Sequence, residues 1–135
     1  MAPIGEGPSP SFAPDRVGHG GWNELHTTDW RAAEQFYSQE FGWDRSEAMD
    51  MGPMGTYLLF NTGDGAIGGM MNSGSLGRPL WLYYFRVEEI MAAKARVEAA
   101  GGAVLNGPME VPGGGWILQA RDPQGAMFAL TGPKS

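Results

Sequence analysis

Cysteine is absent from the sequence. Its absence excludes disulfides, cysteine nucleophiles, and zinc or iron–sulfur centres held by thiolates. A bound divalent metal would therefore need histidine, aspartate or glutamate side chains as ligands. The chain contains only two histidines, His19 and His26, so histidine-rich metal sites are excluded as well.

Positive charge and long hydrophobic runs are also scarce. The sequence has 9 Lys plus Arg against 15 Asp plus Glu, a formal net charge of −6. No basic run is available to neutralise phosphates, so nucleic acids and anionic membrane surfaces are poor partners. No segment approaches transmembrane length, and the N-terminus lacks the apolar stretch of a secretory signal. We therefore expect a cytoplasmic protein with neither a nucleic-acid nor a membrane partner.

A length of 135 residues corresponds to one domain, which can bury a hydrophobic core without covalent cross-links. The first 14 residues carry four prolines with Gly and Ser between them, a composition that favours an extended arm. We predict an N-terminal arm over residues 1–18 and a single domain over 19–135.

A shift of 60 residues aligns similar segments of the two halves. The segment DWRAAE at 29–34 falls on EIMAAK at 89–94, and Gly42 falls on Gly102. Identities are few, but the acidic start, the paired alanines and the closing glycine keep their order. This pattern predicts an internal repeat of two modules, at about 20–75 and 79–132.

The first module reads as a strand, a helix and further strands. Residues 22–27 favour a strand, Asp29 can cap a helix, and Gly42 can end it. Four residues at helical spacing predict the core face of that helix, namely Trp30, Ala33, Phe36 and Tyr37. Strands are predicted at 56–61 and 66–71 around a hairpin turn at 62–65, and a further strand around 46–51 is left open.

The second module follows the same order. A strand at 81–87 precedes a helix at 88–100, whose apolar face begins at Ile90 and which stops at the glycine pair 101–102. Three strands follow, at 104–105, 116–120 and 126–131. The fold class is therefore predicted as α+β, with the order β-α-β-β-β twice.

Two motifs give this order a family resemblance. The first is TTDWRAAEQFYSQEFGW at 27–43 and the second is DPQGAMFAL at 122–130. With the repeated β-α-β-β-β order, the chain resembles the vicinal oxygen chelate superfamily: glyoxalase I, bleomycin-resistance proteins and extradiol dioxygenases. The resemblance implies curved mixed sheets around a shared cavity, formed within one chain or across a dimer, and we expect a homodimer. Tandem members of the family hold two such domains, and the Pro-rich start resembles the linker between them.

The superfamily's metal site can be tested at its ligand positions. The resemblance places these positions in the first and last strands of each module, where this chain has Trp22, Gly69 (or Gly68), Leu82 and Ala129. None of these side chains can donate to a divalent ion. We therefore predict that the usual metal is missing and that no other cofactor is present.

Strand alternation then predicts which residues share the cavity face. If Trp22 occupies a ligand position, Glu24 and His26 point the same way. The predicted ligand-binding residues are Trp22, Glu24, His26, Ile67, Gly69, Met71, Leu82, Tyr84, Arg86, Met127 and Ala129. An apolar wall with a few polar groups is typical of a small-molecule pocket.

Two functions remain open from the sequence. One is a metal-independent protein, like the bleomycin-resistance branch, that binds a small aromatic or amphipathic molecule in the cavity. The other is a glyoxalase-like lyase or isomerase in which Glu24 and His26 are catalytic, through acid–base chemistry or by recruiting a metal. A third interpretation of Glu24 is structural, with its charge satisfied by Arg86 or by backbone N–H groups.

Overall fold

The computed structural model of the chain describes residues 13, 15–61, 66–72, 78–112 and 114–135. The chain divides into two compact units. Trp22–Leu82 is called the central unit, and Met1–Gly21 with Tyr83–Ser135 is called the terminal unit. The elements are β1 (Gly20–Thr27), α1 (Trp30–Phe41), β2 (Asp44–Asp50), a 3-10 turn (Gly52–Met54), β3 (Thr56–Asn61), β4 (Ala66–Asn72), β5 (Leu80–Arg86), α2 (Ile90–Ala99), β6 (Ala103–Glu110), β7 (Trp116–Arg121) and β8 (Met127–Gly132).

The strands form mixed sheets, which confirms the predicted α+β class. In the central unit the strand order is β2-β3-β4-β1, with β1 parallel to β4 and the other pairs antiparallel. In the terminal unit the order is β5-β8-β7-β6, with β5 parallel to β8 and the other pairs antiparallel. No described helix is long and apolar enough to cross a membrane.

Helix α1 begins and ends at the predicted residues. Asp29 has an extended backbone, and its carboxylate accepts hydrogen bonds from the N–H groups of Arg31 at 3.1 Å and Ala32 at 3.4 Å. These contacts satisfy two of the N–H groups that a helix leaves without an internal partner. At the other end Gly42 adopts the left-handed conformation, φ 72°, that terminates many helices.

The core of the central unit lies between α1 and one face of its strands. Its buried members are Leu25, Trp30, Leu58, Phe60 and Met70. Leu25 therefore lies on the helix side of β1, as the strand alternation predicted.

The prediction that Phe36 belongs to this core is wrong, since Phe36 is 54% exposed. Ala33 and Tyr37, three and seven residues after Trp30, fall on the buried stripe and pack against the core. Phe36 is six residues after Trp30, which turns its side chain away from that stripe.

The core of the terminal unit forms on the predicted face of α2. Its buried members are Ile90, Ala93, Leu118, Ala120 and Leu130. Strand β6 is longer than the two residues predicted, because it continues through Gly107 and Pro108. Register shifts on either side of Asn106 accommodate this segment, and β6 is the last strand in the order of its unit, where proline is tolerated.

Corresponding strand pairs in the two units have matching registers. Glu24 pairs with Gly69 in the central unit, and Tyr84 pairs with Ala129 in the terminal unit. Each residue of the second pair lies 60 positions after its counterpart, which is the offset predicted for the repeat. The sequence repeat itself stays a prediction, as do the domain boundaries. The hairpin turn at 62–65 and most of the predicted arm lie outside the described residues.

Candidate functional site

Strand β1 places Trp22, Glu24 and His26 on the face opposite Leu25. Strand β4 runs beside it, with Gly69 in register with Glu24 and Met71 in register with His26. Glu24 and His26 are the buried polar or charged residues among those described, at 6% and 4% exposure. Burial of two ionisable groups is costly unless they are paired, so their partners define the site.

Hydrogen bonds connect this face into one continuous chain. Trp22 Nε1 donates to the Tyr57 hydroxyl at 2.8 Å, and that hydroxyl donates to Glu24 Oε2 at 2.8 Å. The other carboxylate oxygen, Glu24 Oε1, lies 2.6 Å from His26 Nε2. We call these four residues the Trp22–His26 chain.

The direction of the hydrogen bonds follows from the chemistry of Trp22. An indole N–H can only donate, so the Tyr57 oxygen accepts from it and the Tyr57 proton is directed to Glu24. With Glu24 ionised, His26 Nε2 is the donor to Oε1. A neutral imidazole that donates through Nε2 leaves Nδ1 as an acceptor.

His26 Nδ1 is buried and has no hydrogen-bond partner among the described residues. Buried polar atoms in folded proteins are nearly always paired, so this atom needs an explanation. It is the feature of the central unit that most directly points to a ligand.

Tyr57 is a site residue that the sequence analysis missed. Its ring lies over Gly69 so closely that a Cβ on Gly69 would overlap the ring and the hydroxyl. Glycine at this position is what allows Tyr57 to reach Trp22 and Glu24. The signal was present in TYLLFN, because Leu58 and Phe60 are buried in the core and alternation turns Tyr57 to the other face.

The remaining predicted residues of the central unit have different surroundings. Met71 and Leu82 are buried. Ile67 packs against the core cluster that contains Leu25 and Trp30. The assignment of these three residues to a ligand pocket stays a prediction.

The terminal unit holds the other predicted residues. The Tyr84 hydroxyl accepts from Gln119 Nε2 at 2.9 Å, and Gln119 Oε1 accepts from Asn106 Nδ2 at 2.9 Å. Ala129 lies in register with both Tyr84 and Gln119, so these residues form one row across the strands. Sequence reasoning missed Gln119 and Asn106 because it considered only the first and last strands of each module.

The other two predicted residues of the terminal unit are half-buried. Arg86 is fixed through its backbone, with its N–H donating to His19 O and its carbonyl accepting from Gly18 N. Met127 lies in register with Arg121.

The residues that the family resemblance places at metal-ligand positions offer no side-chain donor to a metal. Gly69, Leu82 and Ala129 have no side-chain donor atom, and the single polar atom of Trp22 is an N–H already directed to Tyr57. The described residues also contain no group of three or more His, Asp or Glu side chains that could hold an ion.

The β-α-β-β-β order of each unit is that of an α+β domain of the vicinal oxygen chelate class. The chain belongs to the Glyoxalase/Bleomycin resistance protein/Dioxygenase superfamily, whose family model matches residues 16–130. The predicted family resemblance is therefore confirmed.

Two curated relatives resemble the chain in sequence. CFP32, a glyoxylase-named protein of Mycobacterium bovis, is 35% identical over 113 residues, which cover 83% of this chain and 43% of that protein. The anthracycline biosynthesis protein DnrV of Streptomyces peucetius is 32% identical and covers 88% of this chain and 47% of its own length. The chain thus spans about half the length of these relatives.

Solved structures share the fold at low sequence identity. A methylmalonyl-CoA epimerase of Streptomyces coelicolor superposes with a TM-score of 0.64 at 17% identity, covering 89% of this chain and all of the epimerase chain. The hypothetical protein BH1468 of Bacillus halodurans also gives 0.64, at 12% identity and 84% and 92% coverage. At this identity the likeness shows the fold alone.

Proposed function

We propose that the protein is a metal-independent binding domain. Its ligand is a small aromatic or amphipathic molecule that lies beside the four hydrogen-bonded residues of the Trp22–His26 chain. The observation that carries the proposal is Trp22. The family resemblance places Trp22 at the first ligand position of the superfamily, and its only polar side-chain atom donates to Tyr57. The position therefore contributes an aromatic surface and a fixed hydrogen-bond network instead of a metal ligand.

The composition of this face supports ligand binding. Trp22 and Met71 supply apolar surface, while His26 supplies one buried polar atom without a described partner. Small-molecule pockets combine apolar walls with a few polar atoms in this way. The relative DnrV is named for anthracycline biosynthesis, so aromatic ligands are the class to test first.

Native mass spectrometry of the freshly purified chain tests the proposal. We expect a non-covalent organic adduct on part of the protein and no divalent ion in unit stoichiometry. Treatment with EDTA should leave the adduct and the melting temperature unchanged. A tightly held divalent ion at one per chain would contradict metal independence.

A second candidate function is acid–base catalysis by a lyase or isomerase. The observation that favours it is the 2.6 Å contact between Glu24 and His26, since a carboxylate that orients an imidazole is a common catalytic arrangement. Glu24→Gln separates the two functions. Lost turnover of the variant at saturating ligand concentration would favour the enzyme, and absence of turnover by the wild-type chain on its co-purifying ligand would favour the binder.

A further inference from the structure

We infer that His26, and not Glu24, makes the polar contact with the ligand, and that it selects molecules carrying a hydroxyl or N–H donor. The inference rests on the proposed binding function and specifies its ligand class. It starts from the one buried nitrogen, His26 Nδ1, that lacks a partner among the described residues.

Glu24 is a positioning residue in this arrangement. Its Oε2 accepts from the Tyr57 hydroxyl and its Oε1 is 2.6 Å from His26 Nε2. Both oxygens of the carboxylate are thus committed to neighbouring side chains, and their geometry holds the imidazole in one orientation. Of the four residues in the Trp22–His26 chain, His26 has a buried side-chain atom, Nδ1, without a hydrogen-bond partner in the described part of the protein.

The orientation also sets what kind of group His26 can bind. Trp22 donates to Tyr57, Tyr57 donates to Glu24, and an ionised Glu24 accepts from His26 Nε2–H. In the neutral form of the imidazole, which has one N–H, Nδ1 keeps a lone pair that accepts a hydrogen bond. A lone pair buried without a donor is unfavourable, and a bound hydroxyl or N–H group removes that cost.

The neighbouring residues favour an aromatic scaffold for that donor. Met71 lies in register with His26 on β4, and a thioether side chain adapts to flat rings of different shape. Gly69, in register with Glu24, is covered by the Tyr57 ring, which adds aromatic surface to the same row. A phenol-type molecule combines an aromatic ring with the required donor.

Nitrogen-15 NMR of the histidine ring tests the inference directly. The chain has two histidines, so a His19→Gln variant leaves His26 as the single imidazole signal. In the ligand-free protein we expect the Nε2–H tautomer. Adding 2-naphthol should shift the Nδ1 resonance, whereas 2-methoxynaphthalene, which has the same ring system without a donor, should leave it in place.

Affinity gives a second readout through tryptophan fluorescence. We expect 2-naphthol to bind roughly tenfold more tightly than 2-methoxynaphthalene, the factor that one well-made buried hydrogen bond supplies. His26→Phe keeps an aromatic ring and removes both nitrogens, so this preference should disappear.

Glu24→Gln tests the positioning role. The Tyr57 proton still requires an acceptor, so the carbonyl oxygen of the substituted amide should face Tyr57 and its NH₂ group should face His26 Nε2. His26 would then carry its proton on Nδ1, and both the inverted NMR tautomer and loss of the 2-naphthol preference are expected. This variant keeps the experiment decisive if His26→Phe does not fold, as judged by circular dichroism.

The contradicting results are distinct. Equal affinity for the two naphthalenes, with no change at His26, would overturn this inference and leave the proposed binding function intact. A proton on Nδ1 of His26 in the ligand-free His19→Gln protein, in the Nδ1–H tautomer or in the imidazolium, would also overturn it. Failure of both naphthalenes to bind would contradict the aromatic-ligand proposal on which the inference rests.

Discussion

Among single residues, Gly69 and Tyr57 depend on each other. A Cβ at position 69 would overlap the Tyr57 ring, so Gly69→Ala should displace Tyr57 and break its bonds to Trp22 and Glu24. We expect a loss of about 1–3 kcal/mol in the free energy of unfolding, the usual cost of overpacking. Urea denaturation followed by tryptophan fluorescence measures this change.

Two further variants serve as controls for Gly69→Ala. Gly115→Ala adds the same methyl group where the nearest atom is Val111 Cγ2 at 4.0 Å, so its effect should be small. In a Tyr57→Ala background, Gly69→Ala should lower the free energy of unfolding by less, because the ring that the added methyl group would overlap is gone. An equal cost of Gly69→Ala in both backgrounds would contradict the dependence.

The sequence allowed part of this site to be predicted. Alternation along β1 correctly placed Trp22, Glu24 and His26 on one face, because a two-residue period is intrinsic to any strand. It could not show that Tyr57, 33 positions after Glu24, would be the link between Trp22 and Glu24. That link depends on the pairing register of strands distant in the sequence.

The two helices differ at their N-termini in a way that can be measured. Asp29 caps α1 through its side chain, whereas Glu89 at the same position of α2 makes no side-chain cap bond. Asp29→Ala should cost about 1 kcal/mol and speed amide exchange at Arg31 and Ala32. Glu89→Ala is the matched control and should change stability much less. Equal effects of the two substitutions would contradict a capping role for Asp29.

Predicted elements agree with the structure where local chemistry decides their limits. Strand β3 matches its predicted range, and α1 matches at both caps. Strand β6 was underpredicted because Gly107 and Pro108 are read locally as strand breakers. In the folded unit, β6 accommodates these two residues through bulges and through its position at the end of the strand order. Both features depend on residues distant in the sequence.

The whole chain spans about half the length of its curated relatives, yet contains two units of the same element order. The family resemblance implies that longer members pair two such domains within one chain, and the 135-residue chain, expressed by itself, would need a second copy for the same pairing. We therefore predict a homodimer. Light scattering after size exclusion should give twice the mass of one chain, and a monomer mass at micromolar concentration would contradict the prediction.

The donor-only indole of Trp22 has a consequence for proton movement. A hydrogen-bonded chain carries a proton from end to end only if every member can exchange donating for accepting, and Trp22 cannot accept. The Trp22 end is therefore closed to protons. Among these four residues, Glu24 can therefore exchange a proton with His26, but no proton can reach it from the Trp22 end.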